Sequence, residues 1–197
     1  MKILLVLALY GVTAAAQPQT ASTENNKDSA FKEKTEGQPA SRADALKLFE
    51  LDGTIAALRE RIKVGIEQGQ AQMVKACPQC SPEFGAEWAR RMAARYKLDD
   101  AIEIYVRAYL KYLNSDDLQA MIRFVENVKR DPQTAVPPPE LKTKLESVLP
   151  SMQSEIIGAT TQYGAKLGGE IGLEIQKEHP EYVQGSPEPA GAKPDKP

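Results

Sequence analysis

One histidine and two cysteines in 197 residues leave few side chains that could do chemistry. Histidine is the usual proton shuttle near neutral pH and a common zinc ligand, so a single copy, His179, excludes a histidine metal cluster. It stands before Pro180 at the end of a helical pattern, which argues against Ser-His-Asp or Cys-His catalysis. No phosphate-cradling glycine loop is present, and nothing calls for a cofactor. The 25 basic and 27 acidic side chains nearly balance. Without a clustered positive surface, nucleic acid is not an expected partner. Asp99-Asp100 and Asp116-Asp117 read as charges at helix N-termini before they read as catalytic pairs. Apolar runs are also short, and none would cross a bilayer core as a helix.

What is present begins with a leader. MKILLVLALYGVTAAAQ carries one lysine, an apolar run from Ile3 to Leu9 and small residues at Ala14, Ala15 and Ala16. This pattern predicts a signal peptide over residues 1–16, cleavage near Ala16, and a periplasmic or secreted protein. No cysteine near the cut could take a lipid. Residues 17–40 hold Phe31 as their only large apolar residue, and residues 183–197 are rich in Pro, Gly and charge; both segments are expected to be disordered. Residues 41–182 remain as a single helical domain.

Within that domain the pattern is helical throughout. Ser41 with Asp44 predicts a capped start for a short helix carrying Ala45, Leu48 and Phe49, with Gly53 marking the turn that follows. A second helix from Thr54 presents Ile55, Leu58, Ile62 and Ile66, a stripe expected to face the hairpin described next. Phe84, Trp88, Met92 and Tyr96 recur every four residues, the signature of a helix edge packed into a core. The clearest stretch runs from Leu98 to Val128. Ala101, Ile102, Tyr105, Tyr109 and Tyr112 line its first arm, and Leu118, Met121, Ile122 and Val125 its second; Asn114 and Asp117 form a capping box between them. A proline-rich loop, KRDPQTAVPPPE, breaks the pattern, and Pro139 or Glu140 opens the last helical region. Pro150 is expected to kink that region or divide it. Gly164, Gly168 and Gly172 fall on one face and predict a close approach by another helix of the domain or of a second copy. The fold class is therefore all-α, an irregular bundle of about six helices around a central hairpin.

Ile102 to Tyr105, the capped turn, the run from Leu118 to Phe124, and Leu149-Pro150 before a long helix together resemble the exported bacterial family designated domain of unknown function 2059. The likeness covers most of residues 41–179 and rests on cap and core positions. It departs at the loop near Asp131 to Glu140, which is longer than the family's turn. It implies an all-helical periplasmic domain and no known activity.

Chemistry, if any, would reside at Cys77-Pro78-Gln79-Cys80. The spacing is that of thiol oxidoreductases, which place the motif between a strand and a helix; here no strand precedes it. A structural disulfide is the plainer reading in an oxidising compartment, and one CxxC supplies only half of a zinc shell. Three functions stay open. The chain is an interaction or structural module of the envelope, binding another envelope protein or itself; a thiol-disulfide redox protein using Cys77 and Cys80; or a binder of an apolar or lipid ligand. Contact with a membrane surface also stays open.

Overall fold

The computed structural model describes residues 38–183. The expected signal peptide, most of the expected N-terminal disordered segment and all but Val183 of the expected tail lie outside the described residues. Among the described residues there are six α-helices: α1 Arg42–Leu51, α2 Thr54–Ala76, α3 Pro82–Arg95, α4 Leu98–Tyr112, α5 Ser115–Arg130 and α6 Pro139–Glu178, closed by a 3-10 turn at Pro180–Tyr182. No strand occurs among them, and the described chain is all-α, with the helices α4 and α5 midway in the order of its elements.

Local chemistry sets the helix ends. The Asp44 N–H donates to Ser41 Oγ at 3.0 Å and starts α1. Gly53, at φ 82°, turns the chain into α2 where a side chain would be strained. Between α4 and α5 the Asp117 N–H donates to Asn114 Oδ1 at 2.9 Å, and the Asn114 N–H to Asp117 Oδ2 at 2.8 Å. That reciprocal box satisfies two donors that a helix start otherwise leaves unpaired. The loop before α6 winds around Asp131, whose carboxylate takes the Gln133 N–H and the Thr134 hydroxyl, and Pro139 then opens α6. Pro150 neither ends nor divides α6, which is one helix of 40 residues. Leu141, Leu145, Val148, Met152 and Ile156 are buried on both sides of the proline, and that packing offsets its missing N–H.

The described chain forms two compact units, one of residues up to Ala57 with Glu103–Ile157, the other of Leu58–Ile102 with residues from Gly158 onward. The divisions fall inside α2, α4 and α6. In the first unit α1 packs against α5. Phe49 sets its ring edge-on to Tyr109 at 4.8 Å and to Tyr105 at 6.3 Å. Leu48, Phe49, Leu118, Met121, Ile122 and Met152 are withdrawn from solvent. Tyr109 is a core residue: burial pushes its hydroxyl well above the ordinary phenol range. The Ser115 N–H reaches the Gln38 carbonyl at 3.0 Å, so the last residues of the segment expected to be disordered, 38–40, lie along the start of α5. Exposed pairs such as Lys47–Glu126 sit around this unit.

The second unit has a smaller core of Phe84, Trp88, Met92, Ile171 and Ile175. Ile66 and Met73 of α2 pack against it. The stripe of α2 expected to face the hairpin thus divides: Leu58 is its one buried residue, and its distal half serves the aromatic edge of α3.

Candidate functional site

The second unit holds both cysteines of the chain. Cys77 Sγ and Cys80 Sγ lie 2.02 Å apart, at bonding distance, and no free cysteine remains. The Cys80 N–H donates to the Cys77 carbonyl at 2.9 Å, which closes the turn between α2 and α3. Pro78 and Gln79 are exposed at its tip, while both cysteines are half-buried. Cys80 packs against the core cluster beside Tyr182 and Val183. Closing so short a loop restricts the unfolded chain by about 2 kcal/mol in the loop-entropy treatment.

Ser81 and Pro82 stand at the N-cap and first position of α3, as their order in the chain predicts. The Ser81 hydroxyl makes no capping bond, however, and its oxygen is buried without a partner. The backbone has another attachment. The Ser81 N–H donates to the Tyr182 carbonyl at 2.7 Å and ties the turn to the end of the described chain. Tyr182 in turn stacks on His179 at 4.7 Å, and His179 Nδ1 lies 3.0 Å from a Glu181 carboxylate oxygen.

Trp88 occupies the middle of the unit, held between two glycines. Its Nε1–H donates to the Gly168 carbonyl at 2.9 Å. A Cβ on Gly168 would meet the indole at 3.0 Å, and one on Gly69 would meet it at 2.6 Å. Both positions leave room for the ring only while they lack a side chain. Of the three glycines read as a packing face, Gly168 is therefore the one in close contact. A Cβ on Gly172 would lie 3.8 Å from Met73, in ordinary contact, and one on Gly164 would meet nothing within 4 Å. The close approach at Gly168 is of an indole and not of another helix's backbone.

Above this core runs a chain of ion pairs. Arg91, with its side chain 12% exposed, reaches Glu87 at 2.7 Å and Glu178 at 2.6 Å. Arg95 pairs with Glu174 at 2.6 Å, and Arg90 with Glu87 at 2.6 Å. Hydrogen bonds from Arg90 and then Arg91 pull the Glu87 carboxyl down to about 2. Arg95 lowers Glu174, and Arg91 lowers Glu178. Three arginines thus face three glutamates, so the charges cancel and all six groups are tied to one another. The Tyr163 hydroxyl donates to Asp100 at 2.8 Å, and its ring stands edge-on to Tyr96 at 4.9 Å.

The sequence pattern located the cysteines, the N-cap and the aromatic edge. It missed Gly69, Tyr182 and the glutamates of the ion-pair chain. Glu87 was within reach, because it stands three and four residues before Arg90 and Arg91, a spacing that pairs on a helix. Glu174 and Glu178 carry no such local signal.

Among the described residues no group of three or more His, Cys, Asp and Glu is placed to hold a metal ion. No helix among them is long and apolar enough to cross a membrane. These features define an all-α protein with a cysteine pair at a helix–helix turn. Compared with models of protein families, with curated proteins and with solved structures, the chain matches none.

Proposed function

We propose that the protein is a non-enzymatic module of the bacterial envelope that binds a helix of another protein along the outward side of α6. The observation that carries this reading is a row of exposed residues, Gly158, Gln162, Ala165, Gly169 and Leu173, at three- and four-residue steps with no charge among them. Leu173 is 60% exposed. A Cβ at Gly158 or Gly169 would meet nothing within 4 Å. The packing of α6 within its own unit therefore does not account for these glycines, each of which costs about 1 kcal/mol against alanine in a helix interior. Small residues let a second helix come near, and a leucine among them supplies an apolar knob.

Two observations support the envelope as its location. The leader pattern over residues 1–16 is that of an exported chain, and a bonded cysteine pair persists in oxidising compartments. The likeness to domain of unknown function 2059 points the same way and adds no activity, since the residues behind it are caps and core.

A photo-crosslinking residue placed at Ala165 or Gly169 in living cells tests the proposal. Mass spectrometry should recover one reproducible partner from these positions and none from Arg123, an exposed site on α5. Recovery of uncrosslinked monomer alone from all three positions would sink the reading.

A further inference from the structure

Several separate features of the second unit meet at the cysteine turn. Pro78 and Gln79 are exposed at the tip of the turn, and both cysteines are half-buried beside them. The next residue, Ser81, holds the Tyr182 carbonyl at 2.7 Å. Cys80, Tyr182 and Val183 all rest on the Phe84–Trp88 cluster. The segment after α6 is thus seated on a turn whose geometry a covalent bond fixes.

We propose that Cys77–Cys80 is an exchange site for an external dithiol, and that its redox state decides whether residues 179–183 stay seated on the turn. A thiolate of the dithiol attacks one sulfur of the pair. The S–S bond breaks, a mixed disulfide forms, and the displaced cysteine leaves as a thiolate that takes a proton from water. The second thiol of the reagent, once deprotonated, attacks the mixed disulfide and releases the other cysteine, which is protonated in turn. The protein gains two electrons and two protons, and the dithiol becomes a disulfide. The chemistry selects a dithiol over a monothiol. In the mixed disulfide the freed cysteine is only a turn away and expels a monothiol by reclosing, whereas a dithiol completes the exchange within its own ring.

Reduction removes the link between Cys77 and Cys80 and returns rotational freedom to Ser81. The Ser81 N–H then loses its fixed aim at Tyr182. Besides the Ser81 bond, the seated segment is held by the packing of Tyr182 and Val183 on the core cluster, whereas the His179–Glu181 and His179–Tyr182 contacts lie within it. The adjoining Arg91–Glu178 pair holds only the end of α6. The core around Phe49 contains no cysteine and is unaffected.

Amide hydrogen exchange on the full chain, with and without dithiothreitol as the probe, tests this. The Ser81 amide should exchange on the order of tenfold faster after reduction, the factor expected when its hydrogen bond to Tyr182 no longer holds it. The Leu118 amide, bonded to the Asn114 carbonyl, should not change. Trypsin should cut after the exposed Lys177 faster in the reduced protein. A Cys77→Ser/Cys80→Ser double variant should behave as the reduced form without reagent. Ser81→Pro keeps the disulfide but removes the donor, at a residue whose φ of −70° already suits proline. It should free the segment in the oxidised state. Equal Ser81 exchange in both states, a pair that resists dithiothreitol in the folded protein, or equal acceleration at Ser81 and Leu118 would each overturn the proposal and leave a purely structural bridge.

Discussion

In the unit of residues up to Ala57 with Glu103–Ile157, aliphatic side chains pack with Phe49 and Tyr109 in the interior, and ion pairs such as Lys47–Glu126 lie exposed around it. In the unit of Leu58–Ile102 with residues from Gly158, an indole fills a slot between glycines, an arginine 12% exposed is matched to three glutamates, and a disulfide closes a turn. The first arrangement tolerates adjustment, because aliphatic side chains of similar volume can repack. The second rests on particular partners, and its members are hard to exchange one at a time. Chemistry that responds to thiols is accordingly confined to the second.

Removing a large side chain from the first unit should have the greatest effect. Phe49→Ala, at a site with no exposure, is expected to lower stability by about 3–5 kcal/mol, read as a fall in the urea midpoint. A loss under about 1 kcal/mol would mean that the Phe49 site collapses easily. Next comes the slot for the indole. Gly69→Ala sets a Cβ at 2.6 Å from Trp88 and should cost about 1–3 kcal/mol as an overpacked contact. Gly158→Ala, in open space, should stabilise by up to about 1 kcal/mol through helix propensity alone. Equal effects at the two glycines would erase the contrast between a slot and a free surface.

A smaller loss is expected from the hairpin turn. Asn114→Ala removes one half of the capping box and should cost about 1 kcal/mol by the same denaturation assay.

The smallest effect is a slope. Glu87, Glu174 and Glu178 all sit below the ordinary carboxylate value, Glu87 at about 2. A folded pKa below the unfolded one stabilises at pH above the unfolded value, and that contribution is lost as pH falls through the folded value. The unfolding midpoint should therefore drop between about pH 5 and pH 2, and drop less steeply in Glu87→Gln. Identical slopes would show that the ion pairs contribute nothing measurable, as many exposed pairs do.

The second unit was the less legible of the two in the sequence. The Asn114–Asp117 box could be read directly, since both partners sit three residues apart and a helix start needs them whatever surrounds it. The buried stripe of α4 was read in part. Ile104, Val106 and Leu113 are buried too, because the helix is covered on more than one side, which a single apolar face does not announce. Pro150 allowed a kink or a new start, and α6 continues through it as one helix, because propensity is local and the packed face of α6 is not.

By itself the sequence determined the all-α class, the caps at Ser41 and Asn114, the hairpin and the candidate pairing of the two cysteines, because all of these depend on residues within about one turn of each other. Only the tertiary structure decided that Gly168 meets an indole, that Gly69 shares the task, that Arg91 is matched to Glu178, and that Ser81 holds Tyr182. Three of those contacts join residues 80 or more positions apart, as at Trp88 and Gly168, and the fourth, Gly69 against Trp88, joins two different helices. Nothing in the spacing of either partner marks the other, so burial and fit alone bring them together.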